Sequence, residues 1–399
     1  LRGWRRPGAK DPMIVTALTL LCTSTQPCRP PARPDWRPLA HFIDSVVAAG
    51  AAPGAVIGIS WRGQRYLHSA GHLGIGLPAQ PDGKTIYDLA SLTKVIGLTT
   101  MVMIGVDEGR LQLDSTVAHW VPAFRGPGKA QVTLRHLLTH SSGLPGWRHL
   151  YDSTHSRVEA MALADSTPLD TVPGARFVYS DLGAIVLTQV VEAEYGHRLD
   201  SLVTQRVFEK LGLTSTRWLP PPSWLDRIAP TELDTAWRKR MLRGEVHDEN
   251  AWQLDGVSGH AGLFSDAEDL MSFGEWLLTG LGGPADGRAG GQRHAHFAIE
   301  APRALPAFIM RQEIPPGSSR ALGWDTPSDE SSAGTLMSPQ SFGHTGFTGT
   351  SIWIDPTREL VVVILSNRVH PTRSNNRWGV TIRGGIADRA VTAVDGARR

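Results

Sequence analysis

Ser91 and Lys94 stand three residues apart in the stretch Asp88-Leu89-Ala90-Ser91-Leu92-Thr93-Lys94-Val95-Ile96-Gly97. In a helix that spacing sets a hydroxyl beside an amine on one face. Serine is a weak nucleophile at its own pKa and needs a neighbour to take its proton, which a lysine does only while neutral. Burial and the positive end of a helix both push an amine that way. The residues that follow, including Val95, Ile96, Leu98, Met101, Val102, Met103, Ile104 and Val106, are apolar on nearly every face, as in a buried helix. The expectation is a nucleophile and its base at the mouth of such a helix. A Ser-x-x-Lys spacing also arises by chance, with a surface serine near a lysine as the plain alternative. Composition adds weight: lysine occurs only at positions 10, 84, 94, 129, 210 and 239, so 34 of the 40 basic residues are arginine, which stays charged and cannot serve as a base.

Around this pair the chain reads as a large globular body. Its 399 residues carry a formal net charge of +2 with basic residues scattered, which points away from nucleic acid or other polyanions as partners. The N-terminus holds Arg2, Arg5, Arg6 and Lys10, an apolar run from Met13 to Cys22, and then small and polar residues. That order describes a secretory signal too short to span a bilayer, so export to the periplasm or beyond is expected. Membrane attachment would come only through the N-terminus, by a lipid on Cys22, although Leu20 and Leu21 precede it where small residues are usual. Neither Cys22 nor Cys28 has metal-ligand spacing, and no metal or cofactor is expected. Five prolines between Pro27 and Pro38 suggest an extended tether, dividing the chain into residues 1–38 and a folded part, 39–399.

Within the folded part, Leu39 to Ala49 has helical spacing, and Val56 to Trp61 with Tyr66 to Ala70 reads as a hairpin across Arg62-Gly63-Gln64. Near the other end, Ser341 to Thr348, Thr350 to Ile354 and Leu360 to Leu365 read as strands, and Ile382 to Val394 as a closing helix. Strands from both ends would share one antiparallel sheet, with a mostly helical lobe of about residues 110–300 inserted between them, giving an α+β fold with a cleft between lobes. Tyr179 falls just before a helix that Ser180 or Asp181 would cap. The glycine-rich tract Gly280 to Gly291 is expected to be a loop.

Three separated pieces line up: Ser91-x-x-Lys94, Tyr179-Ser180-Asp181 at a helix entrance, and His344-Thr345-Gly346 on a strand. In that order they resemble the motifs of the serine β-lactamase and penicillin-binding-protein superfamily. The stretches Leu137 to Pro145 and Gly109 to Pro122 look like the same superfamily, and Val246 to Ala251 with Gly259 to Ser265, and Ser366 to Arg373, are similar to its class C-like branch of low-molecular-mass D,D-carboxypeptidases. The resemblance implies a β-lactamase/transpeptidase-like fold, acylation of Ser91, proton traffic shared by Lys94 and Tyr179, and an oxyanion hole from the backbone N–H groups of Ser91 and Phe347. Asp181, His344, Thr345 and Gly346 would bind substrate.

Two positions depart from the family pattern. Asp181 replaces a common asparagine, exchanging an amide donor for an acceptor. His344 replaces lysine, so that the charge offered to a substrate carboxylate would depend on pH. The His247-Asp248-Glu249 tract is expected to be a solvated, hydrogen-bonding loop rather than a metal site, and His260 to be structural. The implied activity is a serine hydrolase working through an acyl-enzyme on a peptidoglycan D-alanyl peptide. The alternatives are an esterase or β-lactamase acting on another small amide or ester, or a penicillin-binding or sensing protein that acylates without turnover. An α/β-hydrolase and a zincin are disfavoured, since neither Gly-x-Ser-x-Gly nor His-Glu-x-x-His occurs.

Overall fold

The computed structural model describes residues 33–282, 297–329 and 331–398. The N-terminal basic and apolar segments, both cysteines, the first half of the proline-rich tether and most of the Gly280–Gly291 tract lie outside the described residues. The frame is a five-stranded antiparallel sheet of β1 (Gly54–Trp61), β2 (Gln64–Gly71), β3 (Phe342–Thr345), β4 (Ser351–Asp355) and β5 (Leu360–Ser366), in the order β2-β1-β5-β4-β3. β1 and β2 are joined by the two-residue turn Arg62-Gly63, both residues at positive φ, the turn whose twist suits a hairpin. β1 then pairs with β5, Val56 opposite Leu365 through Trp61 opposite Leu360, closing residues some 300 positions apart into one sheet.

β5 is buried along its whole length because both faces of the sheet are covered. Val361, Val363 and Leu365 point into the core shared with the helical lobe, whereas Leu360, Val362 and Ile364 point into a second core beneath the terminal helices. Such a strand is apolar at every position instead of alternating. The expected α+β arrangement is therefore the observed one, with strand ends within a residue or two of the reading except at β3. That strand stops at Thr345 because the chain turns there, Gly346 N–H donating to Thr350 O at 2.8 Å and Gly349 N–H to Gly346 O at 3.1 Å.

The helices that matter for the site are α1 (Arg37–Ala48), α2 (Thr100–Asp107), α3 (Asp181–Tyr195), α4 (Glu249–Gln253), α5 (Ala267–Thr279) and α6 (Val380–Ala397). A π-helical turn, Lys94–Thr99, leads into α2, and all six of its residues are buried. Such wide turns concentrate at functional sites. The segment before it is held from several sides. Tyr87–Asp88 pairs with Leu263–Ser265, Thr348 Oγ1 donates to Asp88 O at 2.7 Å, and Thr350 Oγ1 to Leu89 O at 3.0 Å. Gly346 fits only because it lacks a side chain, since a Cβ there would meet Leu89 O at 2.4 Å. Ala90 takes a left-handed φ of 46°, a conformation that costs a non-glycine residue about 1–2 kcal/mol. The Asp88 carboxylate holds it there, accepting from Ala90 N at 2.8 Å and, with its other oxygen, from His247 N at 2.6 Å. Ser91 follows directly.

Asp88→Asn should therefore destabilise the fold by about 1–3 kcal/mol, because one of the two buried N–H groups would face an amide N–H instead of an oxygen. Urea denaturation reads this directly. A midpoint equal to that of wild type would mean that the loop keeps its conformation without the carboxylate.

Candidate active site

The turn of helix beginning at Ser91 does what the spacing requires. Lys94 is 3 % exposed; its ammonium donates to Ser91 Oγ at 2.9 Å and His260 O at 3.0 Å and forms an ion pair with the Asp181 carboxylate at 2.6 Å. The Tyr179 ring lies 4.9 Å from Nζ, centroid to nitrogen. Asp181 reaches the lysine because it opens α3, where Ser180 Oγ caps the helix by accepting from Gly183 N at 3.0 Å and donates to Pro145 O at 2.7 Å. The sequence reading expected burial to leave Lys94 neutral, and here the structure corrects it. Burial does pull its pKa down, but the Asp181 carboxylate, with help from Tyr179, outweighs that and moves it above the ordinary lysine value. The residue is a charged ammonium in a buried ion pair. Asp181 is likewise spent on Lys94 rather than left to repel a substrate carboxylate.

His344 is the second correction. It is 3 % exposed and does not border the cavity at Ser91, although Thr345, Gly346 and Phe347 do. Its Nδ1 donates to Thr345 O at 2.8 Å, while Nε2 is buried without a hydrogen-bond partner. Burial, reinforced by the positive charges of Arg320 and Lys94, pushes its pKa well below the ordinary histidine value. It stays neutral across the physiological range and offers no pH-dependent cation. His140, which the sequence singled out only as part of a longer stretch, is built the same way. It packs 4.5 Å from the Tyr179 ring, accepts from Ser180 N–H through Nδ1 at 3.1 Å, and is kept neutral by burial and by Arg320 and Lys94. Arg320 lies over the Tyr179 and Phe177 rings at 5.6 and 5.2 Å. Nothing in its local sequence marks it, because its neighbours come from other parts of the chain.

Ser91, Tyr179, Asp181, Thr345, Gly346 and Phe347 all border a cavity of about 630 Å³. Among the described residues neither Ser91 N–H nor Phe347 N–H is taken by a protein acceptor. Two arginines not marked by the sequence as site residues close the far side. Arg383, at the start of α6, donates to Gly346 O at 2.9 Å and leaves Nε buried without a partner. Arg368 donates to Phe347 O at 2.8 Å and Asn375 O at 2.7 Å, its guanidinium 4.6 Å from the Phe347 ring. Neither has a carboxylate partner among the described residues. Burial, together with the charge of Arg368, pulls the Arg383 pKa down to about 10. Arg373, by contrast, is neutralised by Glu232 and Glu249 at 2.6 Å each.

The His247–Asn250 tract is knitted into its surroundings rather than freely solvated: His247 and Asn250 are buried, Asp248 and Glu249 are half-buried, and His247, Asp248 and Glu249 border the cavity. His247 is 4 % exposed, its N–H on Asp88 and its Nε2 2.9 Å from Glu232. Asp248 caps α4 by accepting from Ala251 N and meets His260 Nε2 at 2.8 Å. His260 thus joins Lys94, through its carbonyl, to the tract. No group of histidine, cysteine and acidic residues suited to a metal ion is present among the described residues. No helix among them is long and apolar enough to cross a membrane.

Comparison with known proteins gives a consistent result. The β-lactamase family model matches residues 39–384. A Salmonella typhimurium protein named "Putative D-alanyl-D-alanine carboxypeptidase" is 30 % identical over 331 residues, covering 75 % of this chain and 73 % of its own length. Among solved structures, a penicillin-binding protein homologue from Caulobacter crescentus superposes with a TM-score of 0.69 at 19 % identity, over 92 % of this chain and 98 % of that one. EstCE1, a hydrolase with promiscuous acyltransferase activity, gives 0.67 at 24 %, over 88 % and 98 %. With the expected sheet, the enclosed Ser-x-x-Lys pair and the match across nearly all of the folded part, this chain is a serine hydrolase that belongs to the β-lactamase family.

Proposed function

We propose that this chain is an exported D-alanyl-D-alanine carboxypeptidase in which Ser91 is the nucleophile. The observation that carries the reading is the pair Arg368 and Arg383, two cations without a counter-anion among the described residues, beside Gly346 and Phe347. Burying positive charge without a partner is costly, and a substrate carboxylate in the cavity would offset that cost. A peptide ending in a free carboxylate, one residue beyond the bond to be cut, meets this demand, and an uncharged ester does not. The names of the curated relatives support the same substrate class, and the N-terminal basic and apolar segments support export to where such peptides lie.

In this mechanism the Lys94–Asp181 pair manages the proton. As Ser91 Oγ attacks the carbonyl carbon of the D-alanyl bond, Lys94 passes one proton to Asp181 and takes the one from Ser91, so that the count of protons and charges is unchanged. The developing oxyanion is held by the N–H groups of Ser91 and Phe347, and such a donor is typically worth about 2.7–4 kcal/mol. Arg383 strengthens the second donor. Its hydrogen bond to Gly346 O falls on the peptide unit whose N–H belongs to Phe347, and polarising one end of an amide makes the other a better donor. Tyr179, bordering the cavity over Lys94, hands a proton to the leaving amine. Water then reverses the sequence and frees Ser91.

Ser91→Ala should abolish the covalent adduct that intact-mass measurement detects after incubation with a penicillin, and should abolish release of D-alanine. An adduct persisting in that variant removes Ser91 as nucleophile. Arg368→Leu should raise KM for a D-alanyl-D-alanine peptide about tenfold or more, the value of a charge-assisted hydrogen bond, with a smaller effect on an uncharged thioester of the same acyl group. Equal effects on both would show that the arginine does not meet the carboxylate. Because His344 stays neutral, KM for the peptide should show no imidazole titration between about pH 6 and 8, and a wave that vanishes in His344→Gln would overturn that assignment.

The charge of Lys94 is open to a direct reading, since only six lysines compete in the spectrum. Nitrogen-15 NMR of the lysine amines should show Lys94 titrating above the ordinary lysine value. In Asp181→Asn its pKa should fall, because the ammonium loses its counter-ion, and kcat should drop because the carboxylate that takes the Lys94 proton is gone. A Lys94 resonance that titrates below the ordinary value in wild type would mean that Asp181 does not set its charge.

A further inference from the structure

We infer that the cavity at Ser91 continues into a saccharide-binding strip on the protein surface, formed by Trp147, Tyr151, Trp237 and Trp252, and that the preferred substrate is a D-alanyl peptide still attached to its glycan strand. This deepens the carboxypeptidase reading and rests on it for the identity of the peptide.

Trp147 borders the catalytic cavity and is 41 % exposed. From it the aromatic rings run outward in unbroken contact. Trp147 lies 4.6 Å from His149 and 6.3 Å from Tyr151, Tyr151 lies 4.6 Å from Trp237, and Trp237 lies 5.1 Å from Trp252, itself 40 % exposed. None of the four belongs to either main hydrophobic core, so the fold does not need them for burial.

They are nevertheless displayed on rigid supports, and the supports converge on the His247–Asn250 tract. Asn250, fully buried, accepts from Leu150 N at 2.9 Å and Tyr151 N at 3.3 Å and donates to Arg148 O at 2.8 Å, fixing the loop that carries Trp147 and Tyr151. Trp252 sits on α4, which the same tract opens. Trp237 stands in the turn between the paired segments Leu233–Asp234 and Arg240–Met241. There Asp234 accepts from the N–H groups of Ala236, Trp237 and Arg238. Arg238, its side chain 3 % exposed, pairs with Asp234 at 3.1 Å and donates to Val246 O and His247 O at 2.6 and 2.5 Å. A buried charged pair thus anchors the turn that carries the half-buried Trp237.

A row of rigidly held aromatic rings, exposed at both ends and half-buried at Tyr151 and Trp237, indicates a binding surface. The continuity of the strip with the cavity argues that its occupant is part of the substrate. Polar groups lie along the row, His149 beside Tyr151 Oη at 3.1 Å and Asp152 beside His149. Apolar ring surface with hydroxyl, imidazole and carboxylate partners at its edge suits pyranose rings, which present C–H faces and polar rims. Wall peptides of the D-alanyl type hang from a chain of N-acetylated sugars, which is the chemistry the strip would meet when the peptide end lies in the cavity.

The test uses tetra-N-acetylchitotetraose as the probe, in titration calorimetry against the full chain, together with kcat/KM for a D-alanyl-D-alanine peptide free and attached to a disaccharide. Wild type should bind the tetrasaccharide and prefer the attached peptide. Trp237→Ala and Trp252→Ala should each weaken sugar binding about tenfold and reduce that preference, because each removes a large apolar contact surface. Trp237→Phe, which keeps a stacking face, should retain most of the affinity. Absence of sugar binding in wild type, alanine variants that bind as wild type does, or a phenylalanine variant as weak as the alanine one would each overturn the proposal. So would a wild-type dimer in sedimentation that Trp237→Ala and Trp252→Ala convert to monomer, because the strip would then be a contact between copies. If wild type binds the tetrasaccharide yet releases no D-alanine from either peptide, the strip stands and the carboxypeptidase reading falls.

Discussion

The site depends on one buried ion pair, the Lys94 ammonium against the Asp181 carboxylate at 2.6 Å. A lone ammonium at that depth would shed its proton, and a lone carboxylate would take one up. Together they stay charged, and removing one partner of such a pair typically costs about 3–5 kcal/mol. The pair also joins the two halves of the cleft. Lys94 comes from the helical turn that follows the small ladder at Asp88, and Asp181 opens a helix of the inserted lobe. The position of Ser91 between them is set by that join and by the strained Ala90 that the Asp88 carboxylate holds in place.

Electrostatics divides the cavity wall into two unlike parts. Around Lys94 every charge is matched, and the two histidines nearby, His140 and His344, are held neutral, so charge there does not drift with physiological pH. Around Gly346 and Phe347 the reverse holds, and among the described residues the positive charge of Arg368 and Arg383 stands unmatched against backbone carbonyls. A region with settled charge suits proton transfer between groups already in contact. A region with surplus charge suits recognition, because an arriving anion gains there what the protein leaves uncompensated.

The His247–Asn250 tract shows how one stretch serves both parts. His247 holds Asp88, Asp248 holds His260 and so the carbonyl that takes a Lys94 proton, and Asn250 holds the loop with Trp147. Its polar residues act as structural ties and contact the reacting atoms only indirectly. A sequence reading sees histidine and two acidic residues in a row and expects water around them, because nothing in the local order shows that their partners lie at Asp88, Glu232 and residues 148–151.

By itself the sequence determined what local spacing and binary pattern can determine. Ser91 and Lys94 meet because residues three apart in a helical turn must, and Ser180 caps α3 because a serine before an apolar periodic run has N–H groups to accept. β5 reads as a strand covered on both sides because it is apolar at every position from Leu360 to Leu365. Only the tertiary structure decided the charges. Whether Lys94 is neutral or ionised turns on a carboxylate 87 positions away, and whether His344 carries a proton turns on burial and on Arg320, neither visible from neighbouring residues. The same holds for Arg368, Arg383 and the aromatic strip, whose members come from distant segments and share a site only after β1 has paired with β5 and the lobe has closed over the sheet. Electrostatic energy depends on distance and on the depth of solvent exclusion, and long-range folding sets both.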